Sequence, residues 1–466
     1  MLRPLLALLA LAGPLAAAEP ADAALRADAT RALKAAATFY HQKAASHGGY
    51  IYYYTPDLAQ RWGEGKADAD TLFVQPPGTP TVGAAYLRAH EATGDAFYLA
   101  AARDAADALA YGQLQSGGWT QTIHFGPAKR AGKYRNGKGG AWNVSSLDDG
   151  QTQAAVTFLA RADRALAFKH PPAHDAAAYG FAALLAAQFP NGGFPQVWTG
   201  KVEAHPVVKA KFPGDDWKTA GRVKNYWDYY TLNDGLAGSV AEALVTAHEV
   251  YKDDEYRAAL ERLGDFLLLA QLPDPQPGWC QQYNFEMVPI WGRKFEPPAV
   301  TGWESQDALD TLVAIAAYTG KKKYLEPVPR ALAYFRKSLL ADGRVARYYE
   351  FKTNKPLFMD ARYQLTYDPA AAPAHYGWTQ PARFDEIEAR YEAAKAGTPP
   401  RPPAAPTAAE VRRIVRDLDA AGRWVTTCRG EGLVGQPKFA AGFEYLSSAV
   451  FARNVEALSA YLTATK

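Results

Sequence analysis

The sequence has few sulfur-containing residues and little net charge. Its 466 residues include two cysteines and three methionines, and the formal charge at neutral pH is +3. It contains no CxxC pair and no Cys/His cluster, so it offers no zinc or dithiol redox motif. The small charge gives no indication of a nucleic-acid partner. An EF-hand loop is missing as well.

Long apolar runs are missing after the first twenty residues. None approaches the roughly 18 apolar residues that a membrane helix needs, so we expect no membrane segment. The opening stretch MLRPLLALLALAGPLAAAEP has a basic residue, an apolar run and small residues at Ala16 and Ala18. This layout predicts a signal peptide over residues 1–18, cleaved near Ala18, and a secreted or periplasmic protein. Cys280 and Cys428 could pair there or remain buried thiols, and their spacing leaves both open.

Apolar residues are abundant and recur at helical spacing. Hydrophobic residues make up 48% and aromatic residues 12% of the chain, enough for a large core. Four segments each predict two helices joined by a short turn, and they begin at AAYLRAHEATG, AAVTFLARADR, VAEALVTAHEV and LDTLVAIAAYT. Their long and irregular spacing argues against a short solenoid repeat and favours a ring of helical hairpins.

A glycine, an aromatic residue and a glutamine recur where the second helices end, as QSGGWTQ, QFPNGGFPQ and PQPGWCQQ. Glycine permits the left-handed turn that ends a helix. We expect the aromatic side chain to enter the core and the glutamine amide to satisfy backbone groups in the turn. The loops that follow these turns should then lie at one end of the ring.

Two further segments suggest the organisation of the C-terminal part. ARYYEF followed by TNKP predicts a short β-hairpin near residues 343–368, with Arg362 on the return strand. The Pro-rich stretch AGTPPRPPAAPTAAE, residues 396–410, cannot be helical throughout. We therefore expect a ring domain over residues 19–395 and a helical extension over residues 411–466 that packs on it.

Acidic residues stand directly before two of the predicted hairpins. Asp148 and Asp149 open one of them, and Asn233 and Asp234 open the next. Capping of the helix is the common role for Asp at such a position. Two acidic helix starts on the same side of a ring could also form a site for a cation or a substrate. Their oxygen ligands are of the kind that suits calcium.

Arginines occur in separate loops of the second half of the chain. Arg293 lies in a Pro-rich loop, and Arg347 and Arg362 flank the predicted TNKP turn. Arginine can grip a carboxylate through two parallel hydrogen bonds. Three such residues favour a polyanionic ligand, although structural salt bridges account for many arginines.

The chain resembles the pectate lyases of polysaccharide lyase family ten, the pectic acid lyase domain family. The resemblance runs from about residue 45 to about residue 380 and rests on AQFPNGGFPQVW, YYTLNDGLAGSV, WCQQYNFEMVPIWGRKFEPPAVTGWESQ and ARYYEFKTNKPLF. It implies an all-α dominated, incomplete α/α toroid and calcium-assisted cleavage of polygalacturonate by β-elimination. The expected partner is thus an acidic polysaccharide, and we expect a monomer.

The resemblance also implies roles for single residues. Asp148 and Asp234 match the aspartates of two family motifs that look like metal or substrate ligands, with Asn233 beside the second. Arg293 and Arg347 match arginines that grip substrate carboxylates.

The catalytic base of the family has no exact counterpart in this sequence. Ala361 stands where the family has its base arginine, and Arg362 follows one place later, so we expect Arg362 to be the base, with Tyr363 and Lys355 as alternatives.

Two other functions fit the residues. A glycoside hydrolase of α/α type could use Asp148 and Asp234 as acid and base. A binding protein without catalysis could hold an oligosaccharide on Trp227 and the other aromatic residues of the turns, Trp119, Phe194, Trp198 and Trp279. The turns also resemble those of terpene cyclases, but the sequence has neither a DxDD nor a DDxxD cluster.

Overall fold

The computed structural model describes residues 20–466 except residues 130, 375, 400–403 and 436. The predicted signal peptide, residues 1–18, lies outside the described residues. The described chain forms twelve α-helices: α1 (Pro20–Phe39), α2 (Thr79–Thr93), α3 (Ala96–Tyr111), α4 (Gln151–Ala165), α5 (Pro171–Ala186), α6 (Leu236–Tyr251), α7 (Asp254–Ala270), α8 (Gly302–Thr319), α9 (Val328–Lys337), α10 (Phe384–Lys395), α11 (Ala408–Arg416) and α12 (Ser448–Ala464). None of the described helices is long and apolar enough to cross a membrane.

The four predicted helical hairpins are confirmed as α2/α3, α4/α5, α6/α7 and α8/α9. The first member of each pair contacts the first member of the next, so α12, α2, α4, α6, α8 and α10 form one continuous inner row. The second members lie outside this row: α3 contacts α5, and α7 packs against the inner helices α6 and α8. This row does not close into a barrel, and the fold is an incomplete α/α toroid as expected.

Small residues and local caps explain why the pairs form. Gly94 ends α2 in the left-handed conformation at φ 74°, and the Asp95 side chain accepts a hydrogen bond from the Phe97 amide at the start of α3. Alanines fill the faces between paired helices; Ala101, Ala102 and many others are fully buried. With such short side chains, neighbouring helices approach closely along their length.

Seventeen short strands occur in the loops of the described chain: β1 (Tyr53–Tyr54), β2 (Arg61–Trp62), β3 (Lys66–Ala67), β4 (Thr71–Phe73), β5 (Thr122–His124), β6 (Ser145–Ser146), β7 (Val197–Trp198), β8 (Tyr230–Thr231), β9 (Gln282–Tyr283), β10 (Val300–Thr301), β11 (Val345–Ala346), β12 (Tyr348–Tyr349), β13 (Pro356–Met359), β14 (Leu365–Thr366), β15 (Thr379–Gln380), β16 (Val425–Thr427) and β17 (Glu444–Ser447). The predicted β-hairpin is confirmed: β12 pairs with β13, with Tyr348 opposite Leu357. Arg362, however, lies in the turn before β14 and not on the strand, because Asp360 accepts hydrogen bonds from the amides of Arg362 and Gln364 and closes that turn.

The C-terminal residues join the N-terminal part of the ring. Strand β17 pairs with β1, and β1 pairs in turn with β2, within the sheet order β16-β17-β1-β2-β3. Helix α12 packs against α2 and α1. The last helix therefore occupies a place in the inner row, next to the first hairpin. The two cysteines are buried free thiols, so the disulfide alternative is wrong.

The glutamine turns have the structural role expected from the motif. The Gln188 amide donates to the carbonyls of Gly192 and Ala259, and its own oxygen accepts from Arg262 at 2.9 Å. Gly192 has φ 92°, and a Cβ there would lie 1.8 Å from the Arg262 carbonyl oxygen. The turn thus requires glycine both for its conformation and for its closeness to α7.

The other two turns repeat this arrangement, with Gln113 paired to Arg135 and Gln271 paired to Arg330. In the first turn the structural glutamine is therefore Gln113, whereas the quoted motif began at the exposed Gln115.

Candidate active site

Two acidic turns meet at one end of the ring. Asp148–Gly150 and Asn233–Gly235 each form a single 3₁₀ turn before an inner helix, and the two turns contact each other. Asp149 and Asp234 have φ of 46° and 54°, a left-handed conformation that Asp and Asn tolerate better than most residues.

Capping is not the role of these acidic residues. The N-caps are Gly150 and Gly235, and neither helix has a side-chain cap. The carboxylates are thus free to form a site.

Amides from the glutamine turns hold the acidic residues. Gln196 donates to Asp148 over 2.5 Å, while its backbone amide donates to the Trp227 carbonyl. Gln281 donates to the Asn233 side-chain oxygen over 2.7 Å, and Asn233 donates to Asp234. Two of the turns that end outer helices therefore also position side chains of the site.

Arg347 is the buried cation of the site. Its guanidinium lies 3.9 Å from Asp234 and 3.6 Å from Glu304, and it stands over the Tyr376 ring at 4.3 Å. Glu304 is completely buried, and neither of its carboxylate oxygens has a hydrogen-bond partner within the described part of the chain. Burial would lower the pKa of Arg347, but the acidic and phenolic groups around it raise the pKa, so the guanidinium stays charged.

Arg293 reaches the same cluster from the Pro-rich loop and remains partly exposed. Its Nε donates to Glu296 over 2.8 Å, and the backbone amide donates to the second oxygen of that carboxylate. Burial alone would raise the pKa of Glu296, yet the hydrogen bonds and charge of Arg293 outweigh burial and lower it. Glu296 therefore fixes Arg293 as a charged group with solvent access.

The carboxylates of the acidic turns repel one another. Burial and the charges of Asp149 and Asp148 raise the pKa of Asp234 well above its usual value. The pKa of Asp149 rises to about 6, because of lost hydration and the charges of Asp148 and Glu64. The Asp149 residue surface is nevertheless exposed, so water screens part of this repulsion. A cation or cationic ligand group would relieve it.

Several residues of the site were not predicted from the sequence. Gln75 donates to Glu64 over 2.9 Å and to Asp149 over 3.1 Å. Glu64 lies at the turn of the β2–β3 hairpin, far from Asp149 in the sequence. No local motif marks these residues, because the sheet that places them forms from both ends of the chain.

The predicted base stands at the edge of this cluster. The Arg362 side chain is 88% exposed and lies 3.7 Å from Asp360. Its neighbour Tyr363 approaches the loop of Arg293, with its ring 6.2 Å from Phe295. The Nζ of Lys355, the other alternative base, lies over the Tyr367 ring at 5.1 Å. Arg362 thus belongs to a hairpin that borders the site, without direct contact to the acidic turns.

Trp227 is the partly exposed aromatic residue among those named for sugar binding. Its ring packs edge-on to Tyr226, and Arg222 lies over it at 5.6 Å. Trp119, Phe194, Trp198 and Trp279 are buried in the core, so they do not line a cleft. An aromatic-rich binding cleft of the expected composition is therefore not formed.

The donors of the acidic turns are chemically suited to calcium. Asp148, Asp149 and Asp234 supply carboxylate oxygens only, the ligand type that Ca²⁺ prefers. Within the described residues, however, no group of three or more Asp, Glu, His or Cys side chains is already arranged around a common point. Further oxygens from a ligand or from water would have to complete the coordination.

Comparison with known proteins identifies the family. The model of the pectic acid lyase family matches residues 113–345, which is half of the chain. The chain belongs to the pectic acid lyase family. It is accordingly a polysaccharide lyase, and its substrate is of the pectate type. Asp148, Asp234 and Arg293 lie within the matched region of this family member, whereas Glu64 and Arg347 lie outside it.

Solved structures of similar shape are more distant. A family 10 polysaccharide lyase from Cellvibrio cellulosa has 18% identity and a TM-score of 0.48, covering 68% of this chain and 97% of that chain. A variant of that enzyme was solved with trigalacturonic acid, at the same identity and TM-score, covering 68% and 98%. A D-mannose isomerase has 15% identity and a TM-score of 0.43, covering 82% and 100%. No protein with a curated description matches the sequence.

Proposed function

We propose that this pectic acid lyase is a secreted, calcium-assisted pectate lyase that cleaves polygalacturonate by β-elimination. The observation that carries this proposal is the pairing of charged Arg293 and Arg347 with a cluster of repelling carboxylates at one end of the ring. The arginines suit the carboxylates of a uronate chain, and the aspartates suit a cation that would sit between protein and polymer.

The reaction removes the proton at C5 of a uronate and expels the glycosidic oxygen at C4. The C5–H electron pair becomes the C4–C5 double bond, and the leaving oxygen takes a proton. Negative charge develops on the carboxylate in this step, so cationic groups at that carboxylate lower the barrier. We assign this role to Arg293 and Arg347, with Asp148, Asp149 and Asp234 as the residues that would hold calcium. When bound, calcium would supply further positive charge.

The base is assigned to Arg362 on the family resemblance. To act, Arg362 must leave its ion pair with Asp360 and accept the C5 proton of the uronate. Its exposed position on a hairpin leaves room for movement towards a bound polymer. The signal peptide expected over residues 1–18 supports secretion.

Ultraviolet absorbance of the unsaturated product tests the proposal. We expect absorbance to rise with polygalacturonate and calcium at alkaline pH, and to stop when a chelator is added. Asp234→Asn should weaken the calcium dependence, and Arg362→Ala should abolish the rise. Arg344→Ala, on an exposed arginine that precedes β11, is the matched control. No rise under any condition would contradict the proposed reaction.

A further inference from the structure

The hairpin formed by β2 and β3 brings an additional carboxylate to the site. Glu64 lies at its turn, and the hairpin is held on both sides. A Cβ on Gly63 would lie 2.1 Å from the Phe73 ring, and one on Gly435 would lie 2.7 Å from the Gly63 carbonyl oxygen. Gly435 itself has φ 76°. The C-terminal segment therefore fixes Glu64 in place, from outside the region that the family model matches.

A single amide group joins Glu64 to the acidic turn. The Gln75 nitrogen donates to Glu64 and to Asp149, while the Gln75 oxygen accepts from Gln121 at 3.0 Å and from Gln151 at 3.3 Å. These two hydrogen bonds fix the orientation of the Gln75 side-chain amide. An N–H group thus lies between the two carboxylates, and this arrangement disfavours one cation bridging those same oxygens.

Tyr52 adds an unused hydrogen-bonding group beside this pair. Its side chain is fully buried, and its hydroxyl has no hydrogen-bond partner among the described residues. Burial, followed by the charges of Glu64 and Asp149, raises the pKa of Tyr52. Buried hydroxyls usually have a partner, so a ligand group that reaches the Tyr52 hydroxyl through a small rearrangement would supply the missing one.

Charge divides the site into two parts. Arg347 lies beside Asp234 and Arg293 pairs with Glu296, whereas Glu64 and Asp149 share only the Gln75 amide and have no such arginine partner among the described ion pairs. A uronate carboxylate placed beside Glu64 would be repelled, whereas sugar hydroxyls would donate to these oxygens.

We propose that Glu64, Asp149 and Tyr52 form a subsite for an uncharged sugar unit, either a neutral sugar or a methyl-esterified uronate, recognised through its hydroxyl groups. This proposal rests on the proposed function and specifies its substrate: a polymer in which uncharged units neighbour the uronate that is cleaved.

The test compares three polymers: de-esterified polygalacturonate, its methyl-esterified form, and a polymer that alternates a uronate with a neutral sugar. For each, kcat/KM is measured by product absorbance at fixed calcium. Glu64→Gln removes the charge and keeps the shape. For each pair of polymers we compare the ratio of their kcat/KM values in the variant and in the wild type. In Glu64→Gln we expect this ratio to change by about tenfold in favour of the de-esterified polymer relative to at least one of the other two. Which of the two responds identifies the uncharged unit.

Two further variants separate this role from a structural one. Glu91→Gln, on an exposed glutamate of α2, should leave the ratios unchanged. Tyr52→Phe removes a hydroxyl that has no partner in the free protein, so stability should not fall, while cleavage of the preferred polymer should drop. Loss of stability without a change in the ratios would overturn the subsite.

Further results would contradict either the subsite or the proposed function. Unchanged ratios in Glu64→Gln would overturn the proposal. If that variant instead needs more calcium for half-maximal activity at unchanged ratios, Glu64 is a cation ligand and the proposal is wrong. If the wild type cleaves no polymer, the proposed function fails. Calorimetric binding of trisaccharides with and without one methyl ester then tests the subsite alone, and a preference for the ester that Glu64→Gln does not reduce would overturn it.

Discussion

Removing Arg347 should destabilise the protein in a strongly pH-dependent way. Glu304 is completely buried and has the Arg347 guanidinium at 3.6 Å as its neutralising neighbour. Burial already raises the pKa of Glu304 above its usual value, and the charge of Arg347 is the main opposing influence. In Arg347→Met the pKa of Glu304 should therefore rise further, and the folded protein should bind a proton that the unfolded chain releases.

The uptake of this proton determines the direction and the size of the change in the free energy of unfolding with pH. A carboxyl group with a raised pKa in the folded state loses its stabilising contribution as pH rises through that pKa. The loss is at most about 1.4 kcal/mol per pH unit, so between about pH 5 and about pH 8 it reaches at most about 4 kcal/mol. That agrees with the roughly 3–5 kcal/mol typical of removing one partner from a buried ion pair.

Urea unfolding of Arg347→Met across this pH range is the assay, with the wild type measured alongside. Glu304→Gln combined with Arg347→Met should remove the part of the added pH dependence that comes from Glu304, and Asp234, which lies 3.9 Å from Arg347, should account for what remains. Arg344→Ala serves as the control on an exposed arginine. An Arg347→Met protein whose free energy of unfolding has the same pH dependence as the wild type would refute this reasoning.

Two more predictions concern the turns and the acidic site. Gln188→Ala leaves two turn carbonyls and the Arg262 guanidinium without their partner, so the free energy of unfolding should fall by about 2–4 kcal/mol, whereas exposed Gln115→Ala should change it by less than about 0.5 kcal/mol in urea unfolding. Equal effects would contradict the turn assignment. Calcium affinity, measured by calorimetry, should decline as pH falls through the raised pKa of Asp149 at about 6, because protonation removes a ligand, and Asp149→Asn should flatten this dependence. A decline of the same size and midpoint in that variant would contradict the role of Asp149.

The helical ring was predictable from local signals. Helical periodicity and the break at Gly94 identify the first hairpin, and the glycine and glutamine positions mark the end of each outer helix. The motif did not fix which glutamine closes the first turn, because Gln113 and Gln115 lie two places apart and only packing against α5 selects Gln113.

The site was predictable where its residues stand next to helix starts. Asp148 and Asp234 were identified in this way, but their capping alternative was settled only by the left-handed turns, whose glycines occupy the cap positions. Glu64 was not predictable, since its sheet combines strands from the two ends of the chain. For the same reason, the sequence could not place α12 in the inner row.

The central claim, elimination and not hydrolysis, is tested most directly by mass spectrometry of the products formed in water labelled with a heavy oxygen isotope. Elimination adds no water, so oligogalacturonates released in the presence of calcium should carry an unsaturated end and no solvent oxygen beyond the slow exchange at the reducing end, which preformed oligogalacturonates in the same water measure. Products with saturated ends that contain solvent oxygen would show hydrolysis and contradict the account.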